Sequence, residues 1–250
     1  MGKFVAIASG KGGTGKTTVA INLALAFVNF GKDVVLLDAD LRNSNIGLYL
    51  GTPVLPATLH EVIEGAKKIE EASYLHPSGL KIIPANISLE KAKGADSTKL
   101  KDAVGDLSRA KGTVIFDLPS GINEDVSEVL RLSDETIVVT NPDIVSVTDA
   151  LKLIRVAEES GSTVVGVVLN RVKNDGLELS VSNIETMLDY PVIGIIPEDV
   201  AIKKSLNIKQ PLVYAYPYAK ATIAFKKLAA SLMGKVYEEK LKHKKFHHSF

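Results

Sequence analysis

The feature that most constrains this chain is Gly10-Lys11-Gly12-Gly13-Thr14-Gly15-Lys16-Thr17, set between a short apolar run and a segment of helical period. It fits G-x-x-x-x-G-K-[ST] in the strand–loop–helix context that this pattern requires. Glycines let a backbone wrap closely around phosphate with successive N–H groups turned inward. The helix that follows adds the partial positive charge of its N-terminus. In this reading Gly10, Gly12, Gly13, Thr14 and Gly15 shape the cradle, and Lys16 reaches the β- and γ-phosphates. Thr17 ligates Mg2+, with Thr18 beside it. Gly10-x-Gly12-x-x-Gly15 also fits the dinucleotide fingerprint, and Asp38 stands near the place where that fingerprint expects an acid. Lys16-Thr17 separates the two, because a triphosphate site needs that pair and a dinucleotide fold does not.

The rest of the chain repeats the strand-to-helix theme. Near-continuous Val/Ile runs occur at 4–8, 34–37, 80–84, 114–116, 136–139, 164–169 and 192–196. Unbroken apolar runs suit strands buried on both faces. Helical periodicity lies between most of them, at 17–30, 147–160, 183–188 and 219–233, and glycines stop the first two. The pattern predicts an α/β fold: one doubly wound, mostly parallel sheet with helices on both faces. Apolar residues make up 46% of 250, enough for a sizeable core, and no Pro/Gly/Ser-rich linker divides the chain. The expected division is one domain over 1–234 and a basic tail over 235–250.

Three strand-end carboxylates suit the phosphate loop. Val114-Ile115-Phe116-Asp117 places an acid at the carboxyl end of a strand, where ligands of open α/β sheets sit. Asp117 is expected to hold Mg2+ through its water ligands, and Leu118-Pro119-Ser120-Gly121 to form the turn after it. Leu37-Asp38-Ala39-Asp40 ends another strand, with Asp38 nearer the metal and Asp40 placed to orient the attacking water. Taken singly, each of these acids could be only a turn or N-cap residue.

Lys11-Gly12-Gly13-Thr14-Gly15-Lys16-Thr17 resembles the deviant Walker A motif of the MinD/ParA ATPases, with its extra lysine. Asp38-Ala39-Asp40 with Asn45-Ile46-Gly47-Leu48-Tyr49-Leu50-Gly51 looks like the switch I stretch of that family, and Asp117-Leu118-Pro119-Ser120-Gly121-Ile122 like its switch II. Thr140-Asn141-Pro142-Asp143, Leu169-Asn170-Arg171 and Ile196-Pro197-Glu198-Asp199 are also similar, and the similarity runs in order over about residues 2–233. Leu118 and Ser120 depart from the commoner residues of the family. The resemblance implies ATP/ADP and Mg2+ as cofactors, and hydrolysis of ATP to ADP and phosphate. It also implies a sandwich homodimer in which Lys11 acts as a catalytic cation on the partner's phosphates, beside Lys16 and Asp40. Asn170 would bond the adenine edge, and Arg171, Pro197, Glu198 and Asp199 would flank the base.

Within the family, the absence of cysteine excludes the branches that carry iron–sulfur clusters on cysteine ligands. A MinD-like role in cell division or protein positioning, with an activating protein partner, is the expectation. The alternative is a ParA-like partition ATPase whose ATP dimer coats DNA through a basic surface. Residues 235–250 hold five Lys and two Glu, hence +3 of the total +1; the other 234 residues carry 25 basic against 27 acidic groups, or −2. That acidic-leaning body weighs against DNA. The tail offers Lys242–245, Phe246 and Phe250 to an anionic membrane, against the plainer reading of a solvated helix end. No apolar run reaches transmembrane length, so a cytoplasmic protein, at most peripheral to a membrane, is expected.

Overall fold

A computed structural model describes residues 2–52, 54–109 and 112–238. Residues 239–250, which hold most of the tail predicted to meet a membrane, lie outside the described residues.

The strands are β1 (Lys3–Ser9), β2 (Val34–Asp38), β3 (Tyr74–Leu75), β4 (Lys81–Ile83), β5 (Thr113–Ser120), β6 (Glu135–Thr140), β7 (Thr163–Val172) and β8 (Val192–Pro197). They form one sheet in the order β3-β4-β2-β5-β1-β6-β7-β8, parallel except for β3 against β4. The helices are α1 (Lys16–Asn29), α2 (Ile46–Tyr49), α3 (Leu59–Ile63), α4 (Leu89–Gly94), α5 (Leu100–Ala103) and α6 (Glu124–Leu132). They continue with α7 (Ile144–Glu159), α8 (Val181–Leu188), α9 (Val200–Asn207), α10 (Leu212–Ala215) and α11 (Lys220–Leu232).

The strands are apolar on both sides because each face of the sheet is covered. Ala6 and Ala8 of β1 and Val114 and Phe116 of β5 join a core with α3 and α5–α8. Their neighbours Val5, Ile7 and Ile115 face a second core built from α1 and α9–α11. The alternation follows from the two-residue period of a strand. All seven predicted strands form. The two-residue β3 was not anticipated, being too short to carry a period.

One local expectation fails. Leu118, Pro119 and Ser120 continue β5 rather than turn. The register against β1 slips there, from Ile7 opposite Asp117 to Ser9 opposite Ser120. A bulge of this kind accommodates a proline that has no N–H to donate. The turn comes at Gly121, at φ +91°.

Past α11 the chain stays close: Lys235 N–H donates to the Ala230 carbonyl, and the Tyr237 ring meets Phe30 edge-on with centroids 6.2 Å apart. No helix among the described residues is long and apolar enough to cross a membrane.

Candidate functional site

The glycine loop lies at the carboxyl end of the sheet, between β1 and α1. Its tight path depends on positions that have no room for a side chain. A Cβ on Gly10 would sit 2.2 Å from the Asp149 carbonyl oxygen of α7. One on Gly15, at φ +90°, would sit 2.2 Å from Asn170 Nδ2. Gly10→Ala is therefore expected to destabilise the fold by about 2 kcal/mol, because the obstructing atoms are backbone. Urea unfolding reads this, and an unchanged midpoint would show that α7 does not hold the loop.

A cavity of about 340 Å3 opens beside the loop. Gly13, Thr14, Gly15, Lys16, Thr17 and Thr18 line one side, and Asn170, Arg171, Glu198 and Asp199 the other. Ten of the predicted residues thus line it, while Asp38, Asp40 and Asp117 do not. Gly10, Gly12, Lys11 and Pro197 do not line it. Gly10 is spent on the contact with α7, and Pro197 ends β8. Lys11 belongs to the surroundings of Asp143, the N-cap of α7. Burial pushes the Asp143 carboxyl up, but the Ser146 hydroxyl and amide and the Lys11 charge outweigh it and hold that carboxyl below its usual range.

Lys16 is 5% exposed and donates to Asp117 Oδ1 at 2.7 Å; Asp117 is 1% exposed. Asp38 is the register partner of Asp117 on β2, so the two carboxylates stand side by side. Burial, and then the Asp117 charge, push Asp38 up to about 7. Its Oδ2 accepts from the Asn45 and Ile46 N–H groups, both at 3.2 Å, and lies 2.7 Å from Ser44 Oγ. Asp40 is raised too, mainly by burial, against the Asn43 N–H that donates to its Oδ1 at 2.9 Å and the Lys16 charge. Two adjacent buried carboxyl groups under a lysine and a helix N-terminus suit a cation and a polyanion together.

The base side shows a comparable fit. Asn170 is 2% exposed on β7, and its Nδ2 donates to the Thr14 carbonyl at 2.7 Å. That bond fixes the orientation of the amide and leaves Oδ1 buried without a partner among the described residues. An acceptor in that position matches the exocyclic amino group of adenine, and buried polar groups in native structures rarely stay unpaired. Arg171 beside it holds φ +61°, an uncommon backbone for a side-chain-bearing residue and one that clusters at functional sites. Asp199 is largely occupied in holding helices together: its carboxylate accepts from Ala201 N–H at 2.8 Å and Ala221 N–H at 3.1 Å.

Ile202, Lys203 and Leu206 of α9 also line the cavity and escaped the sequence reading; Asn45, Tyr49 and Ser120 line it too, and were read only as members of the switch-like stretches and not as site residues. Asp199 as N-cap was the available signal for α9, and Asn123 before two acids was the signal for α6. Asn141 was visible only as part of a resembling segment. Its Nδ2 donates to the Asn170 carbonyl at 2.9 Å and so braces the base-side loop.

Comparison with known proteins agrees with this geometry. The model of the CobQ/CobB/MinD/ParA nucleotide binding domain matches residues 5–212. An uncharacterized ATP-binding protein of Methanocaldococcus jannaschii is 43% identical over 241 residues, which covers 96% of this chain and 91% of the relative. The cell division ATPase MinD of Pyrococcus furiosus superimposes with a TM-score of 0.89 at 33% identity, over 94% of this chain and 99% of that one. The septum site-determining protein MinD of Pyrococcus horikoshii, solved with Mg-ADP, gives 0.88 at 33% identity, over 93% and 96%. A doubly wound sheet, a deviant phosphate loop and this breadth of similarity together mean that the chain belongs to the MinD/ParA family of nucleotide-binding proteins.

Proposed function

We propose that the chain is an ATP-dependent switch in which Mg-ATP binding drives sandwich dimerisation and slow hydrolysis to ADP and phosphate resets it. The observation that carries this reading is the buried pair Lys16–Asp117 with Asp38 alongside, directly beneath the glycine loop. Lys16 is placed to move from Asp117 to the β- and γ-phosphates, and the loop N–H groups to hold them. Thr17, Asp38 and Asp117 would hold Mg2+, which supplies charge neutralisation at the phosphate oxygens. Asp40 orients the attacking water. Asn170 Oδ1 takes the adenine amino group, with Arg171, Glu198 and the backbone of residues 197–199 around the base.

Lys11 would act on the partner's phosphates, as a cation supplied in trans does in other phosphoryl transfers. Ile144 and Val145 follow Asp143, whose carboxyl feels the Lys11 charge, and Ile122 follows Gly121, whose N–H donates to the Ser9 carbonyl; Ile122, Ile144 and Val145 are 43%, 55% and 57% exposed. Apolar side chains in that position suit burial against a second copy of the chain. The MinD names of the solved relatives support a role in cell division or in positioning other proteins, with an activating protein partner. We take 1–234 as the ATPase domain and 235–250 as a separate basic tail. In this reading the protein works in the cytoplasm, and the tail brings it to an anionic membrane surface.

One observation favours the ParA-like reading. Residues 200–238 hold seven Lys against one Glu, and Lys203, Lys204, Lys209, Lys220, Lys227 and Lys235 are exposed. The acidic-leaning total of the body thus contains a stretch over α9–α11 that is rich in exposed lysine, the charge that DNA backbone binding uses. Co-sedimentation with anionic liposomes and with plasmid DNA, each with ATP and with ADP, chooses between the two.

Dimerisation is tested on Asp40→Ala, which is expected to bind ATP, form a dimer with ATP and not ADP, and turn over at least about 100-fold more slowly. Light scattering after gel filtration reads the mass. An ATP-loaded variant that remains a monomer would count against the sandwich.

A further inference from the structure

The loop that bears Asp40 is held from outside by a residue with no place in the nucleotide chemistry. His60 is on α3 and is 3% exposed. Its Nε2 lies 3.1 Å from the Leu41 carbonyl oxygen, and the Asn86 N–H donates to its Nδ1 at 3.0 Å. A carbonyl can only accept and an N–H only donate, so the ring is neutral with its proton on Nε2. Burial disfavours the imidazolium and holds the ring below its ordinary range, against the pull of the Leu41 carbonyl and of Glu61 and Glu64 on its own helix; Lys91 of α4 adds to the lowering.

Leu41 follows Asp40 directly, so the bond to its carbonyl pins the Leu41–Arg42 peptide, one residue beyond the acid. The other side of the ring is itself anchored. Residues 84–86 receive Leu59 N–H at the Pro84 carbonyl, 2.8 Å, and Ser44 Oγ at the Ala85 carbonyl, 2.9 Å. The start of α3 is set by Thr58, whose N–H and hydroxyl both meet Glu61 Oε2. The path is continuous from α3 through His60 to the acid loop, and from the end of β4 back to that loop through Ser44.

We infer that His60 is a positioning residue for ATP hydrolysis, holding the Leu41 carbonyl so that Asp40 keeps its place over the phosphates. This rests on the reading of Asp40 given above. The imidazole does not line the nucleotide cavity; it acts on the loop. Because it joins the loop to α3 and to residues 84–86, it also limits how far that loop can swing when nucleotide enters.

Two conservative variants separate the two bonds. The amide nitrogen of Gln can stand where Nε2 stands and keep the Leu41 bond. The amide oxygen of Asn can stand where Nδ1 stands and keep only the Asn86 bond. The full chain is assayed at saturating Mg-ATP as wild type, His60→Gln, His60→Asn and Asp40→Ala, with thermal unfolding of each. The expected result is a kcat for His60→Gln within about twofold of wild type and a loss of about tenfold in His60→Asn, with KM for ATP within about twofold throughout. Hydrogen exchange of the Asn43 amide, which is bonded to Asp40, should quicken in His60→Asn and not in His60→Gln, with or without turnover. Equal losses in both variants, losses that follow the unfolding temperature, or an unchanged Asn43 exchange would overturn the inference. If Asp40→Ala hydrolyses like wild type, the reading of Asp40 fails instead, and the exchange result still decides whether His60 holds the loop.

Discussion

Lys16→Ala is expected to reduce phosphate release by at least about 100-fold at saturating ATP, and to lower stability in the same protein. The first effect follows from removing a cation aimed at the charge that develops on the transferred phosphoryl group. The second follows from what Lys16 does without nucleotide. It is the ion-pair partner of Asp117, and both are almost fully buried. Removing one member of a buried pair leaves the other charge uncompensated, which typically costs about 3–5 kcal/mol. The two effects can be separated. Lys16→Ala combined with Asp117→Asn removes both charges, so it should recover much of the stability and none of the turnover. Phosphate release and urea unfolding on the single and double variants check this. A single variant that hydrolyses ATP like wild type would falsify the site.

The second large effect concerns Asp38 without Mg2+ or nucleotide. Its carboxyl is raised from 3.8 to about 7, first by burial and then by Asp117. A group whose native value lies above its unfolded value stabilises the fold while protonated. That contribution is complete below about pH 4 and is lost as pH rises through 7, by at most about 1.4 kcal/mol per pH unit. Asp38→Asn mimics the protonated group and should flatten the dependence. The amide must place an NH2 where one carboxyl oxygen now accepts, either from Asp40 N–H or from Asn45 and Ile46, and this offsets part of the gain. The net expectation is a variant about 2 kcal/mol more stable than wild type at pH 8 and about equal to it at pH 5. Urea midpoints at the two pH values measure the difference, and parallel slopes would refute it. On the proposed reading of Asp38 as a metal ligand, a cation at the site would relieve the Asp117 repulsion that adds to burial in raising it.

The core of the fold was legible because its strands are buried on both faces and therefore read as unbroken apolar runs. Asp117 and Asp38 were legible because they end such runs. Elements of four to six residues, such as α2 and α4, were not, since one helical turn shows no period. Pro119 misled for a different reason: its compatibility with β5 depends on a register slip against β1, which is a property of two strands and not of one. At the site, the loop glycines were readable as a motif, but not which partner makes each one necessary. Gly10 answers to α7 and Gly15 to Asn170, and both contacts span more than a hundred residues. Pairs nearer in sequence, His60 with Leu41 and Asn141 with Asn170, are 19 and 29 residues apart, still too far to leave a local pattern to read.

The contact between Tyr237 and Phe30 sets where any load on the tail is borne. α1 starts at the phosphate loop and runs 14 residues before Phe30 closes it, a length of about 21 Å. The tail therefore departs from the pole of the molecule opposite the nucleotide. If the tail is a tether, as proposed, it is fixed away from the loop that carries Lys11. On the proposed reading, a chain held by its tail would then pair, release and pair again without first letting go.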